Sequence, residues 1–219
     1  MALPFTIGQF YQVFASYNVT LRPAQIAMTG LAVAAICLVF IPRNWSDRAA
    51  SFILALLWAW MGIAYHFAFF ARINPAAYAF AALSLAGALC FLWFGVLHGR
   101  LHFGWNGGRQ AYAGAGLILF SLVVYPAWSW YAGHRFPAMP SFGLPCPTTI
   151  FTIGLLCFLT PPYPRAPLVA PVLWCFIGAQ AAVLLGVPQD LGLVAAAGAG
   201  LVLLVRAKPR LAPHHIRQG

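Results

Sequence analysis

Acidic residues are almost missing from this chain: Asp47 and Asp190 are the only two in 219. Charged residues of both signs make up 6% of the sequence, where a soluble domain carries about 25%. That scarcity excludes an ordinary soluble globule. No lysine falls inside an apolar block, which excludes a retinal Schiff base. No acid falls in the middle of one either, which removes the carboxylate a proton relay commonly needs. Asp190 instead reads as an N-cap at the start of the last block. Two acids cannot complete a Ser-His-Asp set with the histidines available. The cysteines (Cys37, Cys90, Cys146, Cys157 and Cys175) show no CxxC spacing, so neither a disulfide framework nor a thiolate metal site is implied. No catalytic, nucleotide or metal motif stands out. The expectation is a protein that is not an enzyme and needs no cofactor or metal.

What is present is apolar: 63% of the residues, in long blocks separated by short basic loops. A hydrocarbon core about 30 Å thick needs roughly 20 such residues in a helix. Seven blocks approach that length: Ala24–Ile41, Ala49–Ala71, Pro75–Leu97, Ala111–Ala132, Phe142–Thr160, Pro167–Gly186 and Leu191–Val205. The fold class is therefore an all-α polytopic bundle forming a single integral membrane domain over 1–219, with the bilayer as its first partner. The formal charge of +10 does not point to nucleic acid, because the basic residues stand singly at span ends.

Counting Lys and Arg by side sets the orientation. Arg43, Arg48, Arg100, Arg109, Arg165, Arg206, Lys208, Arg210 and Arg217 fall on one side; Arg22, Arg72 and Arg135 fall on the other. The richer side is the cytoplasmic one. This places the N-terminus outside, in the periplasm of a bacterial inner membrane, and the basic tail 206–219 inside. His98, His102, His214 and His215 then belong to the cytoplasmic side as solvated residues. The start of the chain lacks the basic region of a signal peptide. Phe10, Val13, Phe14 and Tyr17 recur at helical spacing, and Thr6 with Gln9 matches a capping box. Residues 1–22 thus read as an outer-surface segment carrying an amphipathic helix, Thr6–Tyr17. Asn18-Val-Thr20 matches a glycosylation sequon, as a chance occurrence beside the membrane.

The first span contains Pro23-x-x-Ile26-x-x-x-Gly30-Leu31, and the fifth contains Pro147-x-x-Ile150-x-x-x-Gly154-Leu155. Both spans end in Pro-Arg, at Pro42-Arg43 and Pro164-Arg165. Leu57-Trp58-x-x-x-Gly62 is matched by Leu173-Trp174-x-x-x-Gly178, and Ala86-Gly87 by Ala199-Gly200. In this reading spans one to three (24–97) repeat as spans five to seven (142–205), with span four (111–132) as an inverting linker. Parallel repeats of this kind occur in transporters. The arrangement resembles, in architecture only, that of the SWEET sugar facilitators. The stretch Gly143-Leu-Pro-Cys-Pro-Thr-Thr-Ile-Phe-Thr-Ile-Gly-Leu-Leu156, with the opening Leu3-Pro-Phe-Thr and Tyr17-Asn18, is similar to one shared by an uncharacterised family of bacterial integral membrane proteins. That resemblance implies a membrane location and no activity.

Candidate binding residues follow from where helix rules break. Pro145 and Pro147 flank Cys146, so Ser141–Pro147 should be irregular, with Thr148 and Thr149 at the helix start beyond it. His66 and His134 fall on the same side. Met61 and Met139 come close to that side as well, but the spacing matches no recognised metal site. Trp58 and Trp174 sit near mid-span at matching repeat positions, with Gln180 also near mid-span, where together they would line a central site. Packing with one interhelical hydrogen bond is the alternative. Pro126 should kink span four, with Ser121 helping to satisfy freed carbonyls. Gly192, Ala196 and Gly200 form a small-residue face for close packing. Two functions fit these features. One is a facilitator or binder of a small solute, uncoupled from protons and centred on Ser141–Thr149. The other is a structural or accessory subunit of a larger membrane complex, or of a homo-oligomer.

Overall fold

The computed structural model describes residues 4–41 and 43–207. The expected roles of Leu3, Pro42, Lys208, Arg210, His214, His215 and Arg217 lie outside them. Eight helices make up the fold: α1 (Ile7–Thr20), α2 (Arg22–Phe40), α3 (Ser46–Arg72), α4 (Ala77–Leu97), α5 (Arg109–Tyr131), α6 (Pro145–Leu156), α7 (Ala166–Leu184) and α8 (Pro188–Arg206). No strand occurs among the described residues; two isolated bridges, one joining Phe103 to Leu159, are the only β pairing there. Six helices, all but α1 and α6, are long and apolar enough to cross a membrane. The protein is a helical membrane bundle.

Local chemistry sets the helix ends. The Thr6 hydroxyl accepts from Gln9 N–H and the Gln9 side chain accepts from Thr6 N–H, the capping box read from the sequence. At the end of α5, Gly133 has a φ of +89°, and His134 N–H reaches back to Ser129 C=O at 3.0 Å. That is a glycine-stopped C-terminus whose last carbonyls are satisfied. Three spans contain a π turn: Met61–Phe67 in α3, Phe91–Leu97 in α4 and Phe120–Val124 in α5. The third lies directly before Tyr125-Pro126, where the proline was expected to disturb the helix. Ser121 Oγ donates to Ile118 C=O beside it.

The connections alternate between two faces. At the first face, Tyr11 donates to Gly186 C=O and Asn18 to Met139 C=O, so α1 meets the loops that follow α5 and α7. At the second face, Asp47 pairs with His102, Thr160 N–H donates to His102 C=O, and Arg206 donates to Gln110. Residues 7 and 206 therefore lie at opposite faces. His102, expected to be solvated, keeps a 44% exposed side chain and is also held at 2.9 Å by Asp47, which accepts from Phe103 N–H as well.

Apart from Cys146, every residue of α6 is buried. It is the axis of the bundle, packed by α5, α7 and α8, and Trp58 reaches it from α3. The apolar block Phe142–Thr160 was expected to form a full span, but its helix is only 12 residues long. At 1.5 Å per residue that is about 18 Å, well short of the bilayer core. Prolines 145 and 147 hold the start, and Cys157–Thr160 leave the helix for an irregular segment. Irregular backbone inside a membrane protein must have its polar groups satisfied by protein. Here Gln110 donates to Cys157 C=O, Gly104 N–H to Phe158 C=O, and Thr160 N–H to His102 C=O.

Glycines at the positions the expected repeat pairs make close helix contacts in both halves. Gly62 of α3 lies against Ala81 and Ser84 of α4; its counterpart Gly178 of α7 lies against Leu193 of α8. Gly87 of α4 receives Trp58 of α3, and Gly200 of α8 receives Val172 of α7. In both halves the same glycines seat the second helix on the third. The first helices differ: α2 is on the periphery and α6 is enclosed. The apolar face of α1 does not turn to lipid. Phe10, Phe14 and Tyr17 pack with Tyr65, Phe70, Leu144 and Val187, so α1 roofs the first face. Asn18 is fully buried there and its amide donates to Pro137 and Met139 C=O, which closes the sequon to a glycan.

Candidate functional site

Beneath that roof lies a cavity of about 180 Å³. Each wall comes from a different element. The π turn of α3 brings Tyr65 and His66 inward together, and the following turn supplies Phe70. Phe80 comes from α4. Tyr125, immediately after the π turn of α5, and Pro145, Cys146 and Pro147 of α6 form the floor side. Trp174 and Gly178 of α7 and Asp190 of α8 close it, with Phe10 and Phe14 above. The rings make a continuous wall. Centroid separations are 5.7 Å for Tyr65–Phe70, 6.5 Å for Phe70–Phe80, 5.3 Å for Phe80–Trp174 and 4.8 Å for Trp174–His66.

The polar groups are few and confined. Asp190 is 2% exposed and accepts from the Tyr125 hydroxyl. The Cys146 thiol lies beside the same carboxylate. Asp190 is therefore not the N-cap the sequence suggested: it belongs to the turn Pro188–Leu191, and no side chain caps α8. Both ring nitrogens of His66 are buried without a partner in the protein, and the Trp174 indole N–H faces the Cys146 thiol. Leaving such a group unpaired costs about 1–3 kcal/mol, so a site that concentrates them is one that a polar ligand would satisfy. No Lys or Arg lines the cavity. Above it, burial and the Asp190 charge push the Tyr11 phenol up to about 12. Burial also lowers His134, which stacks on Tyr11 at 4.3 Å.

Of the residues singled out from the sequence, His66, Cys146, Pro147, Trp174 and Gln180 line the cavity. Gln180 does so from the exposed end of α7, bonding to Phe176 C=O, and not from mid-span. The other four do not line it. His134 lies outside, against Tyr11. Trp58 is deeper, donating to Thr152 Oγ1 at 3.0 Å, which is the packing alternative for that residue. Thr148 is buried in α6 and accepts from Gly143 N–H at 3.2 Å, tying the preceding loop to the helix without capping it, while the Thr149 hydroxyl is buried without a partner. Irregular backbone ends at Leu144: Pro145 begins the helix, and prolines in a first turn forfeit no helical hydrogen bond. Neither Met61, buried in the core, nor Met139 lines the cavity. No group of three metal-ligating side chains occurs among the described residues. Sequence reasoning missed Asp190, Tyr125, Tyr65, Phe70 and Phe80 as parts of one site. The amphipathic pattern of α1 was the available signal, since its apolar face needed something to cover.

A bundle of apolar helices with one aromatic-walled cavity at a single face defines a helical membrane protein with a solute-sized chamber. Residues 7–214 match DUF6064, a family of unknown function, and the chain belongs to that family. No curated protein and no solved structure matches it.

Proposed function

We propose that the protein binds a small solute in the cavity under α1 and acts as a facilitator or solute-binding protein, not as an enzyme, in a bacterial inner membrane. The observation carrying this reading is the pair of partnerless His66 nitrogens on the wall of a half-open aromatic chamber. Ligand sites are mostly apolar with a few converging polar groups, and this one has that composition. The alternative, an accessory subunit, needs no cavity. The cavity favours the solute reading. Uncoupling from protons rested on the lack of an enclosed acid. The burial of Asp190 at the cavity removes that ground, and the proposal leaves coupling out.

In orientation, the second face carries Arg43, Arg48, Arg100, Arg109, Arg165 and Arg206 among the described residues, against Arg22, Arg72 and Arg135 at the first. This supports a periplasmic cavity and a cytoplasmic second face. The experiment is a thermal-shift screen of purified protein against small amines, alcohols, acids and sugars, repeated with Ala181→Trp, which fills the chamber mouth. A stabilising solute whose effect vanishes in Ala181→Trp is expected. A solute that stabilises both proteins equally overturns the assignment of the cavity, and so does the absence of any stabilising solute.

A further inference from the structure

We infer that the cavity is selective for a small organic cation: a protonated amine with an apolar body. The inference rests on the solute-site reading and names the class of ligand. Asp190 is the one acidic side chain on the wall, and no basic side chain of Lys or Arg answers it there. Tyr125 donates to one of its oxygens and the Cys146 thiol lies against the carboxylate, whereas a carboxylate offers about four acceptor sites. An ammonium N–H fits the remainder.

The surrounding rings present the second half of the recognition. Tyr65, Phe70, Phe80 and Trp174 form a continuous wall, and the faces of aromatic rings attract cations, most strongly where water is excluded. His66, with both ring nitrogens unpartnered, adds an acceptor for a second ammonium proton.

Other charges fit less well. An anion would face the Asp190 carboxylate with no Lys or Arg on the wall to answer it. The positive end of the α6 dipole does not rescue it, because Cys146 in that first turn already lies beside Asp190. A bare metal ion lacks a ligand set of three among the described residues.

The test is a charge series on one molecular frame, measured on the wild-type protein in a non-ionic detergent: benzylammonium, benzyl alcohol and benzoate. Benzylammonium is expected to bind tighter than benzyl alcohol by about tenfold or more, with benzoate weakest. Equal or tighter binding of the alcohol or the benzoate overturns the cation class and leaves the solute site standing. If none of the three binds while the wider screen yields a ligand that is not an amine, the class is again wrong and the site stands; an amine from that screen upholds the class. If the screen also yields none, both readings fall. Asp190→Asn should erase the preference for the amine over the alcohol; should that variant not fold, the wild-type series decides alone.

Discussion

Trp58 donates its indole N–H to the Thr152 hydroxyl at 3.0 Å, and both side chains are completely buried. The bond ties α3 to the axis helix α6 across 94 residues of sequence. The same hydroxyl donates to Thr148 C=O one turn back, so it is satisfied on both sides. Against the indole, Gly87 leaves room for the ring: a Cβ there would stand 2.6 Å from it.

Breaking this link asymmetrically should show. Thr152→Val keeps the shape and strands a buried indole N–H. Trp58→Phe keeps an aromatic ring but loses the donor and opens space. Interhelical hydrogen bonds in membrane proteins couple by about 0.6 kcal/mol on average and up to about 1.7. A double-mutant cycle read from unfolding in detergent should give about 1 kcal/mol of coupling. A value near zero would mean that ring packing alone holds Trp58 in place.

The glycines that the repeat aligns, Gly30 and Gly154, should respond oppositely to alanine. A Cβ on Gly154 would stand 2.8 Å from Ile118 and 2.9 Å from Gly114 C=O, both on α5, whereas a Cβ on Gly30 meets nothing within 4 Å. Gly154→Ala must push α5 away, at a cost of about 1–3 kcal/mol. Gly30→Ala should be neutral or stabilising by roughly 0.5–1 kcal/mol, the usual helix preference for alanine. Thermal midpoints of the two variants compare them directly. Equal loss in both would place α2 in a setting like that of α6 and contradict its peripheral position.

That contrast shows why only part of the structure was readable from sequence. Six of the seven apolar blocks, the Thr6–Gln9 cap and the close packing at Gly192, Ala196 and Gly200 are local patterns, and each reappears where the pattern put it. The length of α6 was not readable. Cys157–Thr160 are as apolar as a helix end, and their irregular course depends on partners such as Gln110, far away in the chain. Nor was the cavity. Its rings come from α1, α3, α4, α5 and α7, and a π turn shifts helical register by one residue, so a uniform helical wheel misplaces Tyr125 and His66. Asp190 was misjudged because an acid beside a proline at a helix start reads as a cap whether it faces water or the interior.

Topology can be tested at exposed loop residues. Arg135 lies in the loop after α5, at the first face, and Asn106 lies between α4 and α5, at the second. In intact cells of a Gram-negative host, with the outer membrane permeabilised, a membrane-impermeant maleimide should label Arg135→Cys and spare Asn106→Cys. Labelling should become equal once the inner membrane is broken. Asn106→Cys reacting in intact cells would reverse the orientation.

The docking of α1 over the cavity should weaken in acid through His134. This imidazole stacks on Tyr11 with ring centroids 4.3 Å apart, and the Tyr11 hydroxyl lies 3.5 Å from its Nδ1. Burial disfavours the charged ring and lowers its pKa from the ordinary 6.5. The sign follows from linkage: the unfolded or undocked segment binds the proton more readily, so lowering the pH through about 6.5 favours release. The effect is bounded by the partial exposure of the ring and should be well under 1 kcal/mol. Hydrogen exchange of the α1 amides, corrected for intrinsic rates, should therefore speed up modestly from pH 7.5 to pH 5.5. His134→Phe keeps a ring against Tyr11 and cannot take a proton, so its α1 exchange should be flat over that range. An acid response of the same size in His134→Phe would place the sensitive group elsewhere, with the carboxylate of Asp190 beneath the roof as the next residue to substitute.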